Sequence, residues 1–152
     1  MDNDDIISTL NDLIETSKDG EEGFKACSED ASARHPQLKA MLAERGRECA
    51  LAAGELQELV RNQGGDPETS SSVSGALHRA WTNIRTAITG KDDETVLDEC
   101  ERGEDVAVKA YRKALEKDLP THVRLVVERQ YQGVLRNHDL IKALRNQVRT
   151  HA

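Results

Sequence analysis

The stretch PQLKAMLAERGRECALAAGELQELVRNQGG, residues 36–65, decides the fold class. It opens on Pro36, whose fixed φ suits the first turn of a helix and whose ring disfavours helix in His35 before it. It closes on Gly64-Gly65, the residue type that best terminates a helix. Between these breaks Leu38, Met41, Arg45, Glu48, Ala52, Leu56 and Leu59 recur at steps of three and four, which aligns them on one side of a helix. Arg45 and Glu48 give that expected core face a polar layer of its own.

Working outward from this helix, the same spacing recurs on both sides. Upstream, Ile6, Leu10, Leu13, Ser17, Gly20, Phe24, Cys27 and Ala31 form a stripe that Asp2 or Asn3 can cap, with Asp4 and Asp5 at the positive end of the helix dipole. Downstream, Asp92 can cap a helix with the stripe Val96, Cys100, Gly103, Ala107, Tyr111 and Ala114 or Leu115. Leu119-Pro120 then breaks the chain and opens a last helix through Val123, Val127, Gln130, Val134, Asn137, Ile141, Leu144 and Val148. Four such rods, each ~40 Å long at 1.5 Å per residue, bury their stripes best side by side.

The breaks at His35-Pro36 and Leu119-Pro120 are short, so each flanking pair of helices is expected as an antiparallel hairpin. The ~28 residues between Gly64 and Asp92 are too many for a tight turn. They hold a Ser-rich loop and a shorter amphipathic stripe of Val73, Leu77, Trp81, Ile84 and Ile88 that stops at Gly90. The expected fold is therefore all-α, a ferritin-like four-helix bundle in one domain over residues 1–152, with a long crossover carrying a fifth, shorter helix. Trp81 reads as that helix's anchor on the bundle, and His78 and Arg79 as its solvated neighbours.

Composition agrees with this reading and narrows the function. Aromatic residues make up only 3% of the 152-residue chain, while Ala, Leu, Glu and Arg, which lose little rotamer freedom in helices, are plentiful. A net charge of −7 repels phosphate, so nucleic acid is not an expected partner. No apolar run approaches the roughly 20 residues that span a bilayer, and the start Met1-Asp2-Asn3-Asp4-Asp5 is acidic where a signal peptide is basic. A cytoplasmic protein without a membrane partner is expected. Cys27, Cys49 and Cys100 are odd in number and lack Cys-x-x-Cys spacing, which fits small buried thiols. No phosphate loop, nucleophile elbow or Ser/His/Asp arrangement is found, so no catalytic residue is assigned.

A short internal repeat links the two halves. An offset of 83 lays Gly103-Glu104-Asp105 on Gly20-Glu21-Glu22 and Cys100 on Ser17. Glycine inside a helix costs ~1 kcal/mol relative to alanine, so two at matching places suggest close helix approach or room for a neighbouring side chain. In antiparallel hairpins with these turns, Glu21 comes level with Glu48 and Glu104 with Val134, while Gln130 and His138 flank that height by one helical turn. Glu21, Glu48, Glu104 and His138 are thus candidate ligands for iron or manganese, since carboxylates inside a bundle need a cation to offset desolvation. The competing reading is a salt-bridged polar core layer in which Arg45 pairs with Glu48 or Glu104 and Gln130 and His138 complete the hydrogen bonds. A di-iron centre in such a bundle uses Glu-x-x-His on two helices, and Leu51 and Leu135 stand where those partners would be.

Asp19-Gly20-Glu21-Glu22-Gly23-Phe24, Gly75-Ala76-Leu77-His78-Arg79-Ala80-Trp81 and Cys100-Glu101-Arg102-Gly103-Glu104-Asp105, with Tyr111 and His138, carry a resemblance that spans nearly the whole chain. The sequence resembles an uncharacterised bacterial family of ferritin-like four-helix-bundle proteins, a domain of unknown function. The resemblance implies a bacterial cytosolic dimer, distantly akin to stress-induced ferritin-like proteins, and implies no reaction. Two functions are expected to compete. One is a non-catalytic, stress-associated interaction protein whose outer faces mediate self-association. The other is a metal-binding bundle with redox or metal-handling activity. The basic run Arg124, Arg129, Arg136, Lys142, Arg145 and Arg149 is expected to pair with acidic faces within or between subunits.

Overall fold

The helix starts and stops follow from local chemistry. The computed structural model describes residues 1–30, 36–69 and 93–150. Asp2 caps α1 (Asn3–Asp30): its carboxylate accepts from the Asp5 amide at 2.9 Å, and the Asp5 carboxylate accepts from the Asp2 amide at 3.4 Å. Pro36 stands at the head of α2 (Pro36–Asn62). Gly64 ends that helix at φ 81°, where Gly64 N–H donates to the Arg61 carbonyl and Gly65 N–H to the Val60 carbonyl. Those two bonds satisfy carbonyls that the last turn would leave bare, and the positive φ is the conformation in which glycine alone avoids a Cβ penalty.

Two further helices complete the architecture, α3 (Asp93–Leu115) and α4 (Thr121–Thr150). Among the described residues the structure is all-helical, and the helices pack as a bundle. Arg124 ties the α3–α4 turn by donating to the carbonyls of Leu115 at 3.1 Å and Lys117 at 2.5 Å. At the other hairpin, Ser28 Oγ donates to the Lys39 carbonyl and Lys39 Nζ returns a bond to the Ser28 carbonyl.

Chain direction is fixed by two apolar clusters. One gathers Ile6, Leu10, Leu13 and Ile14 with Leu56, Val60, Tyr111, Ala114, Leu119, Val123, Val127 and Val134. The other gathers Phe24 and Cys27 with Leu38, Leu42, Cys49, Val96, Leu97, Cys100 and Ile141. The start of α1 therefore shares an end with the finish of α2, the finish of α3 and the start of α4. Thus α2 finishes at that end and α3 starts at the other. Residues 65–68 have already reversed: Gly65 packs on Ile7, the Glu68 amide donates to Asn11 Oδ1, and Gln57 Nε2 donates to the Glu68 carbonyl. The expected fifth helix with Trp81, His78 and Arg79 lies outside the described residues.

The expected stripes of α1, α3 and α4 face the core, with Ala107, Asn137, Leu144 and Val148 half-buried and Ala31 outside the described residues, and the α2 stripe is rotated. Its buried residues are Leu38, Leu42, Arg45, Gly46, Cys49, Ala53, Leu56 and Val60, whereas Met41, Glu48, Ala52 and Leu59 flank the core. Small residues explain the shift. Gly46 brings the backbone of α1 close, the position of its absent Cβ lying 3.5 Å from the Glu21 carbonyl oxygen, and hydropathy alone gives such a position little weight. No helix among the described residues is long and apolar enough to cross a membrane.

Candidate functional site

Between the two apolar clusters the bundle is polar, and the polarity comes from all four helices. Arg45 on α2 and Glu104 on α3 meet across the core, with Arg45 Nε donating to Glu104 Oε1 at 2.7 Å. Glu104 is 1% exposed, and among the described residues its Oε2 has no hydrogen-bond partner. The Arg45 guanidinium also lies 5.5 Å from the centre of the Phe24 ring and 3.6 Å from Glu48 Oε2 at the surface. A second chain of bonds runs alongside. Tyr111 donates its phenol proton to Gln130 Oε1 at 2.8 Å, and Gln130 Nε2 donates to Glu55 Oε1 at 2.7 Å and to the Ala52 carbonyl at 3.3 Å. Because the phenol proton is committed to Gln130, Ser17 Oγ, 3.4 Å away, is the donor to the Tyr111 oxygen.

Burial sets the electrostatics. It raises the Glu104 carboxyl above its ordinary 4.5 even though Arg45 pulls the other way. Burial alone would lower the Arg45 guanidinium, but the neighbouring Cys49, Glu104 and Glu48 outweigh it and raise it, so this group stays charged. The Cys49 thiol is pushed up to about 12 by burial against the opposing pull of Arg45, and the Tyr111 phenol up to about 12 by burial against the bond from Ser17. Neither group is ionised near neutral pH, so the thiol is a packed neutral group and not a nucleophile.

These groups border a cavity of about 520 Å³ at mid-bundle. Its buried walls include Ser17, Gly20, Phe24, Arg45, Cys49, Gly103, Glu104, Tyr111, Gln130 and Val134. Its exposed lining residues, Leu51, Arg129 and Arg136, belong only to α2 and α4, so the mouth opens between those helices, the least closely packed of the neighbouring pairs. Glu48 and Glu55 share that rim, and Arg129 pairs with Glu55 across it. Both glycines of the internal repeat line the cavity, and at Gly20 a Cβ would stand 2.9 Å from Cys49 Sγ, so this glycine makes room for the thiol.

A family profile described as Domain of unknown function (DUF2383) matches residues 5–117. The chain belongs to this DUF2383 family. The match takes in α1, α2 and α3, so the Arg45–Glu104 pair, Cys49 and Tyr111 come from the DUF2383 segment, while Gln130 and the basic rim of α4 lie beyond it. No curated protein matches the chain.

The four residues read as metal ligands are not gathered at one point. Glu104 alone is in the core. Glu21 lies against α2, its carbonyl oxygen 3.5 Å from where a Cβ on Gly46 would stand, and its half-buried carboxylate pairs with Lys18 at 3.9 Å. Glu48 sits at the cavity rim and accepts from Asn137 Nδ2 at 2.8 Å. His138 lies on the outer seam of α3 and α4, where its Nε2 meets Asp105 Oδ1 at 2.7 Å. Among the described residues no three His, Cys, Asp or Glu side chains are grouped to hold a metal ion. Arg45 and Gln130 do occupy the core, each bonded to partners on other helices. The basic run of α4 pairs largely within the chain: Arg145 with Glu101 and Asp98, and Arg149 with Glu94 and Asp98. Sequence reasoning missed Cys49 and Tyr111 as members of the polar centre. Both were read as apolar packing, and the available signal was their spacing from Arg45 and Glu104, four and seven residues along the same helix faces.

Proposed function

We propose that this protein is a non-catalytic helical interaction module that self-associates through the outer face shared by α2 and α4. The observation that carries the reading is the placement of its exposed leucines. Apart from Met1, the large exposed hydrophobic residues described are Leu51 at 76%, Leu125 at 62% and Leu140 at 45%, all on these two helices. They are set among charges in a regular order. The outer stripe of α2 reads Glu44, Glu48, Leu51, Glu55, Glu58, and that of α4 reads Leu125, Arg129, Gln132, Arg136, Leu140.

The contacts of Glu55 with Arg129 and of Glu48 with Asn137 put the acids of α2 level with the bases of α4. A second copy turned about an axis parallel to the bundle would set Glu55 of one chain opposite Arg129 of the other, and Glu48 opposite Arg136, with Leu51 between them. An isologous contact of this kind is the commonest route to a homodimer. The opposed chain directions, with the long connection between α2 and α3, support the ferritin-like kinship that the sequence suggested. The buried cysteines Cys27, Cys49 and Cys100, none of them in a disulfide among the described residues, support a reducing, cytosolic setting. An iron or manganese centre built from Glu21, Glu48, Glu104 and His138 has less support, because Arg45 already supplies the cation that Glu104 requires.

Sedimentation of the purified chain tests the proposal. The expected species has twice the 16.9 kDa chain mass, and Leu51→Glu or Arg129→Glu returns it to a monomer with the same helical circular dichroism. A wild-type chain that sediments as a monomer well above micromolar concentration overturns the reading.

A further inference from the structure

We infer that the mid-bundle cavity is the socket of the proposed dimer, and that Leu51 of the second copy enters it at Gly133. This contact rests on the α2/α4 self-association proposed above and fixes its register. Three observations converge on it. Leu51 is 76% exposed in the middle of α2, at the edge of the cavity mouth. Gly133 lies in the middle of α4 and lines the same cavity, although glycine is less favourable inside a helix than alanine. Packing within the chain does not call for it: among the described residues an added Cβ would meet only Arg136 Nη2, at an ordinary 3.6 Å. Finally, Arg129, Gln132, Gly133 and Arg136 stand at i, i+3, i+4 and i+7, the four positions that frame a hole for a knob from a facing helix. With no side chain on Gly133, the floor of this hole is open to the cavity, whose walls include Phe24, Ala52, Ala107 and Val134.

Height along the bundle decides which knob meets the hole. Within the chain Glu55 pairs with Arg129 and Glu48 accepts from Asn137, and these two contacts bracket Leu51 and bring it level with Gly133. A two-fold axis parallel to the bundle keeps every residue at its own height and sets α2 of one copy against α4 of the other. Leu51 of the second copy then faces the hole at Gly133, with its Glu55 beside Arg129 and its Glu48 beside Arg136. The other two-fold, running across the bundle, lays α2 on α2 and sets Glu44, Glu48, Glu55 and Glu58 against their own copies, which like-charge repulsion disfavours. Entry of Leu51 takes an exposed isobutyl group out of water against apolar walls, the usual character of an interface anchor. The contact is reciprocal, so each copy closes the cavity of the other.

Disulfide trapping between separately purified variants tests the contact. An equal mixture of Leu51→Cys and Gly133→Cys chains, allowed to exchange and then oxidised, is expected to give a covalent dimer on a non-reducing gel. Each chain carries one new cysteine, so the link cannot form within a chain, and the native cysteines are buried. Gly54→Cys, on the exposed side of α2, replaces Gly133→Cys as the control and is expected to give at least about tenfold less. In sedimentation, Leu51→Ala is expected to raise the dimer dissociation constant at least about a hundredfold, because two knobs are lost per dimer. Gly133→Leu fills the socket and is expected to do the same; if it does not fold, Gly133→Ala is expected to weaken the dimer at least about tenfold with helical circular dichroism intact. A wild-type chain that stays monomeric overturns the self-association and this contact together. A wild-type dimer that Arg129→Glu dissociates, but that links residues 51 and 133 no better than the control or is unchanged by Leu51→Ala, overturns the socket alone.

Discussion

Arg45→Met is the substitution that interrogates the centre of this bundle most directly. In the wild type, Glu104 is 1% exposed and, among the described residues, holds Arg45 Nε at 2.7 Å on one oxygen and no partner on the other. Methionine preserves most of the volume beside Phe24 but leaves a buried carboxylate with neither oxygen bonded. Removing one member of a buried pair costs about 3–5 kcal/mol, a large share of the roughly 5–15 kcal/mol that holds such a domain together. Loss of the Arg45–Glu48 contact adds little, because Glu48 is 42% exposed and its charge is solvent-screened. Urea denaturation at pH 7 is expected to show a fall of about 4 kcal/mol with an unchanged slope.

The pH dependence of that loss identifies its cause. Burial already raises Glu104 above its ordinary 4.5, and Arg45 is the chief influence lowering it, so the variant raises it further. A carboxyl raised in the folded state favours folding when protonated: its contribution is full below the unfolded value and is lost as pH rises through the folded one. The penalty of Arg45→Met is therefore expected to shrink as pH falls from 7 toward 5. The double variant Arg45→Met, Glu104→Leu is expected to lie within about 1 kcal/mol of wild type or above it, since an apolar replacement removes the charge and its desolvation together. A single-variant cost below about 1 kcal/mol, or a penalty that does not vary with pH, would refute a charge-compensated centre.

The glycines give a paired prediction. Gly54 has nothing within 4 Å of an added Cβ, so Gly54→Ala is expected to raise stability by about 1 kcal/mol, whereas Gly20→Ala meets Cys49 Sγ at 2.9 Å and is expected to lower it; thermal midpoints of the two variants will separate the cases. The neutral thiol and phenol make the fold sensitive to alkali. Cys49 and Tyr111 move from ordinary values of 9.0 and 10.0 to about 12 when buried, so their contribution is intact below pH 9 and lost as pH rises from 9 through 12. A urea midpoint that declines over this range, and declines less in Cys49→Ala, Tyr111→Phe, is the expected result.

What the sequence determined by itself is the periodic part of this protein. Helix positions follow from local rules, so Asp2, Pro36, Gly64-Gly65 and Pro120 mark the boundaries, and most of the described stripe residues of α1, α3 and α4 are buried where their spacing put them. The opposed ends of α2 and α3 were legible as well, because a connection of ~28 residues is too long for a turn. The site was legible only in part, because facing is a matter of tens of degrees around a helix. Arg45, Glu104 and Gln130 are buried, but the buried face of α2 is turned by less than one residue step from the stripe read in the sequence, which keeps Leu38, Arg45 and Leu56 inside while leaving Glu48 at the rim and bringing Cys49 inward. His138 was read as inward, and pairing with Asp105 holds it on the outer seam instead. Only the tertiary structure decided that Arg45 is the arginine that compensates Glu104 and that α2 and α4 stand far enough apart to open a cavity between them. These features depend on contacts between residues 59 positions apart, such as Arg45 and Glu104, and no local periodicity encodes the angle at which two such side chains meet.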